Sequence, residues 1–165
     1  MYSTKFAQTV HAFLMRRVLA IDETSYGPQH SEIATDINNL ANLLHDMKRL
    51  KEAEPLMHRV VEIYEQAMGK DHPLVAIALN NLARLLQATK RLDEAEPLMR
   101  RALLIFLNFT RNTGHQHPHL QAAFGNYYGL LQSMGRTEAE IGECLLSLGP
   151  EAGFTPEAFA QLFDE

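Results

Sequence analysis

NNLANLLHDMKRLKEAEPLM, Asn38–Met57, returns as NNLARLLQATKRLDEAEPLM at Asn80–Met99, 42 residues later. Laid over one another without a gap, His30–Glu65 and His72–Leu107 share 19 of 36 residues. A repeat of that fidelity has to be read first, because it decides the architecture. The register runs outward in both directions. Upstream, LMRRVLAI at Leu14–Ile21 matches LMHRVVEI at Leu56–Ile63, again 42 apart. Downstream, His72-Pro73 recurs at His117-Pro118 and Asn81 at Asn126, now 45 apart, with the three added residues falling around Asn108–Gln116. GRTEAE at Gly135–Glu140 echoes KRLDEAE with one residue lost. The chain therefore reads as one domain in five parts. An unpaired second helix of a partial repeat (1–25) leads into two full repeats (26–68 and 69–113), followed by an eroded repeat (114–148) and a C-terminal capping helix (149–165).

Each full repeat predicts two helices. Leu79, Leu82, Ala83 and Leu86 fall at i, i+3, i+4 and i+7, the stripe of an amphipathic helix, and Ala95, Leu98, Ala102 and Ile105 form a second. Ala88–Arg91 between them is a short polar turn, which makes the two helices antiparallel. Gly69, Asp71 and Pro73 punctuate the boundary between repeats, with Pro suited to a first helical turn. Ala41, Ala53, Ala83 and Ala95 stand where two helix backbones approach closely, and nothing reads as a strand. Each helix pair has more apolar surface than it can bury alone, so neighbouring pairs must stack into an all-α solenoid.

Composition narrows the function classes. Of 165 residues, 46% are hydrophobic and 21% charged, enough for a real core in one domain. No apolar run approaches the roughly 18–20 residues of a membrane span, and Met1–Thr9 does not read as a signal peptide. Cys144 is the only cysteine, which leaves no internal disulfide and fits a reducing compartment. The fifteen Lys and Arg are scattered in a chain of net charge −5, unlike a nucleic-acid-binding face. The expectation is a cytoplasmic protein with neither nucleic acid nor membrane as partner.

The helix–turn–helix unit, with a small residue in its first helix and an alanine early in the second, resembles the tetratricopeptide repeat, whose usual unit is about 34 residues. The 42-residue spacing, LNNLA at Leu79–Ala83, EAEPL at Glu94–Leu98 and DHP at Asp71–Pro73 resemble its kinesin-light-chain and nephrocystin-like branch, over residues 12–147. The chain departs from that pattern in three places. Residues 1–21 supply only a second helix, Tyr127 and Tyr128 replace Leu and Ala, and the last EAE lacks its proline. The resemblance implies a right-handed superhelix whose first helices line a concave groove for peptides or partner proteins. It implies no chemistry, no cofactor and no catalytic residue.

On the face opposite the core stripe lie Asn80, Asn81, Arg84 and Gln87 in one repeat, Asn38, Asn39, Asn42 and His45 in the one before, and Asn126 in the last. Asparagine is a poor helix former, so paired asparagines in mid-helix need a reason. Their donor and acceptor suit the backbone of an extended peptide, and the resembling family uses first-helix asparagines in this way. The competing reading has one asparagine of each pair bonding a neighbouring helix to fix the stack. Arg84 is read as a carboxylate partner for the ligand, whereas Arg59, Arg100 and Arg101 read as a solvated face.

Other motifs weigh less. His115, His117 and His119 have the spacing of shared metal ligands, but His117 already has a structural explanation in the register of His30 and His72, so no metal site is assigned. Glu54-Pro55 and Glu96-Pro97 sit near a helix start, where acids favour the helix dipole. Cys144 reads as packing, and Asn108-Phe109-Thr110 carries no weight as a glycosylation signal. Thr155-Pro156-Glu157 starts a helix running through Phe163 that could cap the stack. At the other end Phe6, Val10, Phe13, Leu14, Val18 and Ile21 lack a first helix to pack against. Groove binding of a protein or peptide is the leading expectation. The alternative is a self-associating structural module, a C-terminal piece of a longer array or a homodimer through the N-terminal helix.

Overall fold

The computed structural model describes residues 4–163, so the outermost residues of both predicted end segments, 1–3 and 164–165, lie outside the described residues. Helices α1 (Thr4–Tyr26), α2 (Ser31–Asp46), α3 (Leu50–Met68), α4 (Pro73–Ala88), α5 (Leu92–Thr113), α6 (Leu120–Ser133) and α7 (Glu138–Glu151) are followed by α8 (Pro156–Ala160) and a 3-10 turn, Gln161–Phe163. There is no strand among the described residues.

Two kinds of joint make the stack. Inside each pair the turn is built around a left-handed residue, Lys48 (φ 62°), Lys90 (φ 65°) or Gly135 (φ 79°), one per repeat at the same place in the register. Its neighbour's N–H reaches back to the helix, Arg49 to the Leu44 carbonyl at 2.8 Å, Arg91 to Leu86 at 2.9 Å and Arg136 to Leu131 at 3.2 Å. The left-handed residues themselves donate to His45, Gln87 and Gln132. This is the Schellman closure that satisfies the last carbonyls of a helix. Between pairs, a histidine caps α2 and α4 and, at α6, braces the turn just before the helix, whose N-cap His119 makes no side-chain cap bond. His30, His72 and His117 each accept at Nδ1 from the N–H two residues on, at 3.3, 3.2 and 3.2 Å.

The repeat positions fill one continuous core. Ile37, Leu40 and Leu44 of α2, Leu79, Leu82 and Leu86 of α4, and Phe124, Tyr127 and Leu131 of α6 are all buried, facing Ala53, Met57, Ala95 and Met99 of the second helices. Each such Leu, Ile, Phe or Met side chain contributes about 1.5–3 kcal/mol on leaving water. Tyr127, where the repeats have Leu40 and Leu82, fits because its hydroxyl donates to Glu96 Oε1 at 2.6 Å. Burial and then that carboxylate push its pKa up. The backbones of first helices approach one another in succession, α2 to α4 and α4 to α6, whereas α1 and α3, or α3 and α5, meet only through long side chains. The first helices therefore occupy the inner side of the curve.

Polar ties also cross from repeat to repeat, and here two expectations are corrected. Arg59 and Arg101 are not a solvated face. Arg59 pairs with Glu23 and donates to the Pro28 carbonyl at 2.7 Å. Arg101 pairs with Glu65 and donates to the Lys70 carbonyl at 2.9 Å, while Arg100 pairs with Glu151. Glu54 and Glu96 do more than favour a dipole, since Glu54 holds Arg91 and Glu96 holds Tyr127. Both pairings needed the next repeat in three dimensions to be seen.

At the C-terminus, Thr155 caps α8 through the Ala158 N–H at 3.2 Å, and Phe159 (4% exposed) seats on Gly149. A Cβ at Gly149 would lie 2.6 Å from the Phe159 ring, so only glycine admits this approach. Cys144 is half-buried against the core.

Candidate functional site

The inner face is knitted by asparagines. Asn81 Nδ2 donates to Asn38 Oδ1 at 3.0 Å, and Asn126 Nδ2 donates to Asn80 Oδ1 at 3.2 Å. In each pair the second asparagine of one repeat reaches the first of the repeat before. Those four residues therefore hold neighbouring first helices in register, the role set against peptide binding in the sequence. Neither bond exhausts its partners. An amide side chain has two donors and an acceptor with two lone pairs, so each asparagine keeps hydrogen-bonding capacity toward the open side.

Two adjoining cavities lie on this face. The first, about 310 Å³, is bordered by Asn80, Asn81, Arg84 and Asn126, with Phe106 and His119 forming a wall. The second, about 360 Å³, is bordered by His45, Arg84, Gln87, Gly125, Asn126 and Gly129. Arg84 and Asn126 belong to both. Arg84 is exposed and, unlike Arg59, Arg91, Arg100 and Arg101, has no acidic partner among the described residues. Gln87 donates to Ser133 Oγ at 3.2 Å across α4 and α6. His45 lies 3.4 Å from Asp46.

Of the nine residues named from sequence, Asn80, Asn81, Arg84, Gln87, His45 and Asn126 border these cavities, and Asn38 joins them through Asn81. Asn39 and Asn42, on α2, border neither. Sequence reasoning missed Phe106 and His119 as parts of this face. Phe106 stands in the register of Tyr64, a signal for a shared aromatic position but not for which side it serves. His119 was readable only as part of the histidine run. In the structure, His117 stacks on Phe106 at 4.6 Å and meets Phe109 edge-on at 5.1 Å, which turns His119 toward the cavity wall. Burial, and secondarily the neighbouring His119, hold the His117 imidazole below the usual histidine range.

Known proteins resemble this chain in sequence and in shape. Residues 32–108 match the family model of the tetratricopeptide repeat. Among solved structures, BtubC (BKLC) from P. vanneervenii aligns with a TM-score of 0.73 at 22% identity, over 91% of this chain and 60% of that one. This chain thus spans less than two thirds of that protein. The nearly identical TPR-like repeats assigned to a kinesin light chain of Podosopora anserina align with a TM-score of 0.68, also at 22% identity, over 96% of this chain and 70% of that one. At such identity the likeness is one of fold: a TPR-like α-solenoid. No curated protein matches the chain.

Proposed function

We propose that this solenoid, whose residues 32–108 are tetratricopeptide repeats, binds an extended segment of a partner protein along the inner face of α2, α4 and α6. Repeats of this type generally mediate protein–protein interactions, and a stack of helix pairs offers a curved surface rather than a closed reaction chamber. The finer reading rests on one observation: Arg84, exposed and without an acidic partner, stands where the two cavities meet. A guanidinium in that setting favours a carboxylate, which it can hold through two parallel N–H donors. Asn80, Asn126 and Gln87 flank it with amides suited to the backbone of the same segment. On this reading the bound segment carries an Asp or Glu side chain over Arg84. The place of action proposed with it is the cytoplasm, on the strength of one unpaired cysteine.

The test is selection of peptides against the full chain from a random display library, followed by titration of the winners against Arg84→Glu. A hydrogen bond to a charged group contributes about 1.5–3 kcal/mol, so affinity should fall by at least roughly tenfold. The melting temperature should stay within a degree or two, because Arg84 ties nothing to the stack. Winners that lack an acidic residue and bind Arg84→Glu equally well would contradict the reading.

A further inference from the structure

The outer face of α1 carries more than the leftover half of a stacking surface. Leu14, Val18 and Ile21 repeat Leu56, Val60 and Ile63 at the 42-residue offset. Val60 and Ile63 are 0% exposed, whereas Val18 and Ile21 are 51% and 60% exposed. Three further positions break the pattern. Phe6, Val10 and Phe13 stand where the full repeats carry Lys48 and Lys90, Glu52 and Glu94, and Pro55 and Pro97. Those six residues remain exposed although a first helix is packed against each of α3 and α5. A repeat stacked in the ordinary way would therefore leave these positions in water. Val10 and Phe13, 40% and 57% exposed, call there for a wider cover than stacking supplies. His11 departs as well. It stands in the register of Ala53 and Ala95, both 0% exposed, the small residues that let a first helix come close. An imidazole at that place holds an ordinary first helix off.

The size of the patch names an occupant. Val10, Phe13, Leu14, Val18 and Ile21 are between 40% and 60% exposed. Together they present about 500 Å² of apolar surface, toward the upper end of what a monomer shows. Specific interfaces are about 60% apolar, so two such patches face to face correspond to a buried area of roughly 1,600 Å², the size of a standard stable complex. A two-fold pairing is the arrangement in which one self-complementary surface serves both partners. Arg17 lies along this face without an acidic partner among the described residues, unlike its register mates Arg59 and Arg101. Its stem can extend over apolar surface while the guanidinium stays in water at the rim. We propose that two copies of this chain associate through their α1 helices, with Val10, Phe13, Leu14, Val18 and Ile21 at the centre of the interface. The groove face of each copy stays open, so this association stands apart from the groove reading.

The experiment is sedimentation velocity on the full chain from about 1 to 100 µM. The expected result is a shift from the 18.7 kDa monomer to twice that mass as concentration rises. Leu14→Glu with Val18→Glu, both at exposed positions, should hold the protein at the monomer mass with unchanged helicity. Arg84→Glu, on the groove face, should leave the dimer intact. A wild-type chain that stays monomeric at 100 µM would overturn the proposal and mean that some other helix is the one α1 accepts. A dimer that survives the double substitution, or that Arg84→Glu dissolves, would overturn it by placing the contact elsewhere.

Discussion

Lys90 adopts a backbone that lysine pays for. At φ 65° it lies in the left-handed region, where a Cβ crowds the following carbonyl at a cost of about 1–2 kcal/mol. The eroded repeat has solved the same turn with Gly135, at φ 79°. Lys90 is exposed, so its side chain gives little back. Lys90→Gly should therefore stabilise the protein by about 0.5–1 kcal/mol, after the extra chain entropy of glycine is set against the relieved strain. In a thermal melt this would read as a rise of roughly 1–4 °C. A fall would mean that the Lys90 side chain supports the turn in a way its exposure hides. The asparagines illustrate the limit of residue-level reading. Their placement on the inner face was legible from the helical wheel alone. Which of them spend a hydrogen bond on the next repeat was not, because Asn38 and Asn81 lie 43 residues apart and become partners only when helices stack.

Among the elements, the first helices and their joints were the most legible, since a 42-residue repeat carries its own boundaries. The stripe Leu79, Leu82, Ala83 and Leu86 announced α4, and Thr155-Pro156-Glu157 announced the start of α8, where the structure gives a five-residue helix and a 3-10 turn. What pattern could not supply was the chemistry of the joints. His30, His72 and His117 recur in register, yet their use, as caps of α2 and α4 and as a brace before α6, depends on a ring nitrogen facing a backbone N–H. That geometry needs the neutral ring with Nδ1 unprotonated. His117 is held below the usual histidine range by burial and then by His119. With a folded pKa lower than the unfolded one, the unfolded chain takes up protons first as the solution is acidified. The stability this group contributes is then complete above the unfolded value of 6.5 and is lost as pH falls through the folded value. The melting temperature should drop on going from pH 7 to pH 5, and His117→Asn, which keeps an acceptor for the His119 N–H, should flatten part of that drop. An unchanged pH profile in the variant would show that His117 does not carry the acid sensitivity.

At the scale of the whole molecule, most of the ties between repeats lie away from the face proposed to bind, the asparagine bonds excepted. The core leucines and the ties from Arg59, Arg91 and Arg101 run between repeats and hold the curve. The inner face is left polar and open, with Arg84 at its centre. The two sides of the stack are also legible to different degrees. A core repeats because every layer must pack on the next, so it shows itself in the sequence. The proposed binding face is defined by what is absent, here an acid opposite Arg84 among the described residues, and an absence becomes visible only once the neighbours are in place. The central claim is that the inner face is where a partner chain lies. Nuclear magnetic resonance titration of the full chain with a peptide selected from a display library tests it most directly. The account predicts shifts concentrated at Asn80, Arg84, Gln87 and Asn126 on α4 and α6. Shifts confined to α1 or to the outer sides of α3 and α5 would contradict it.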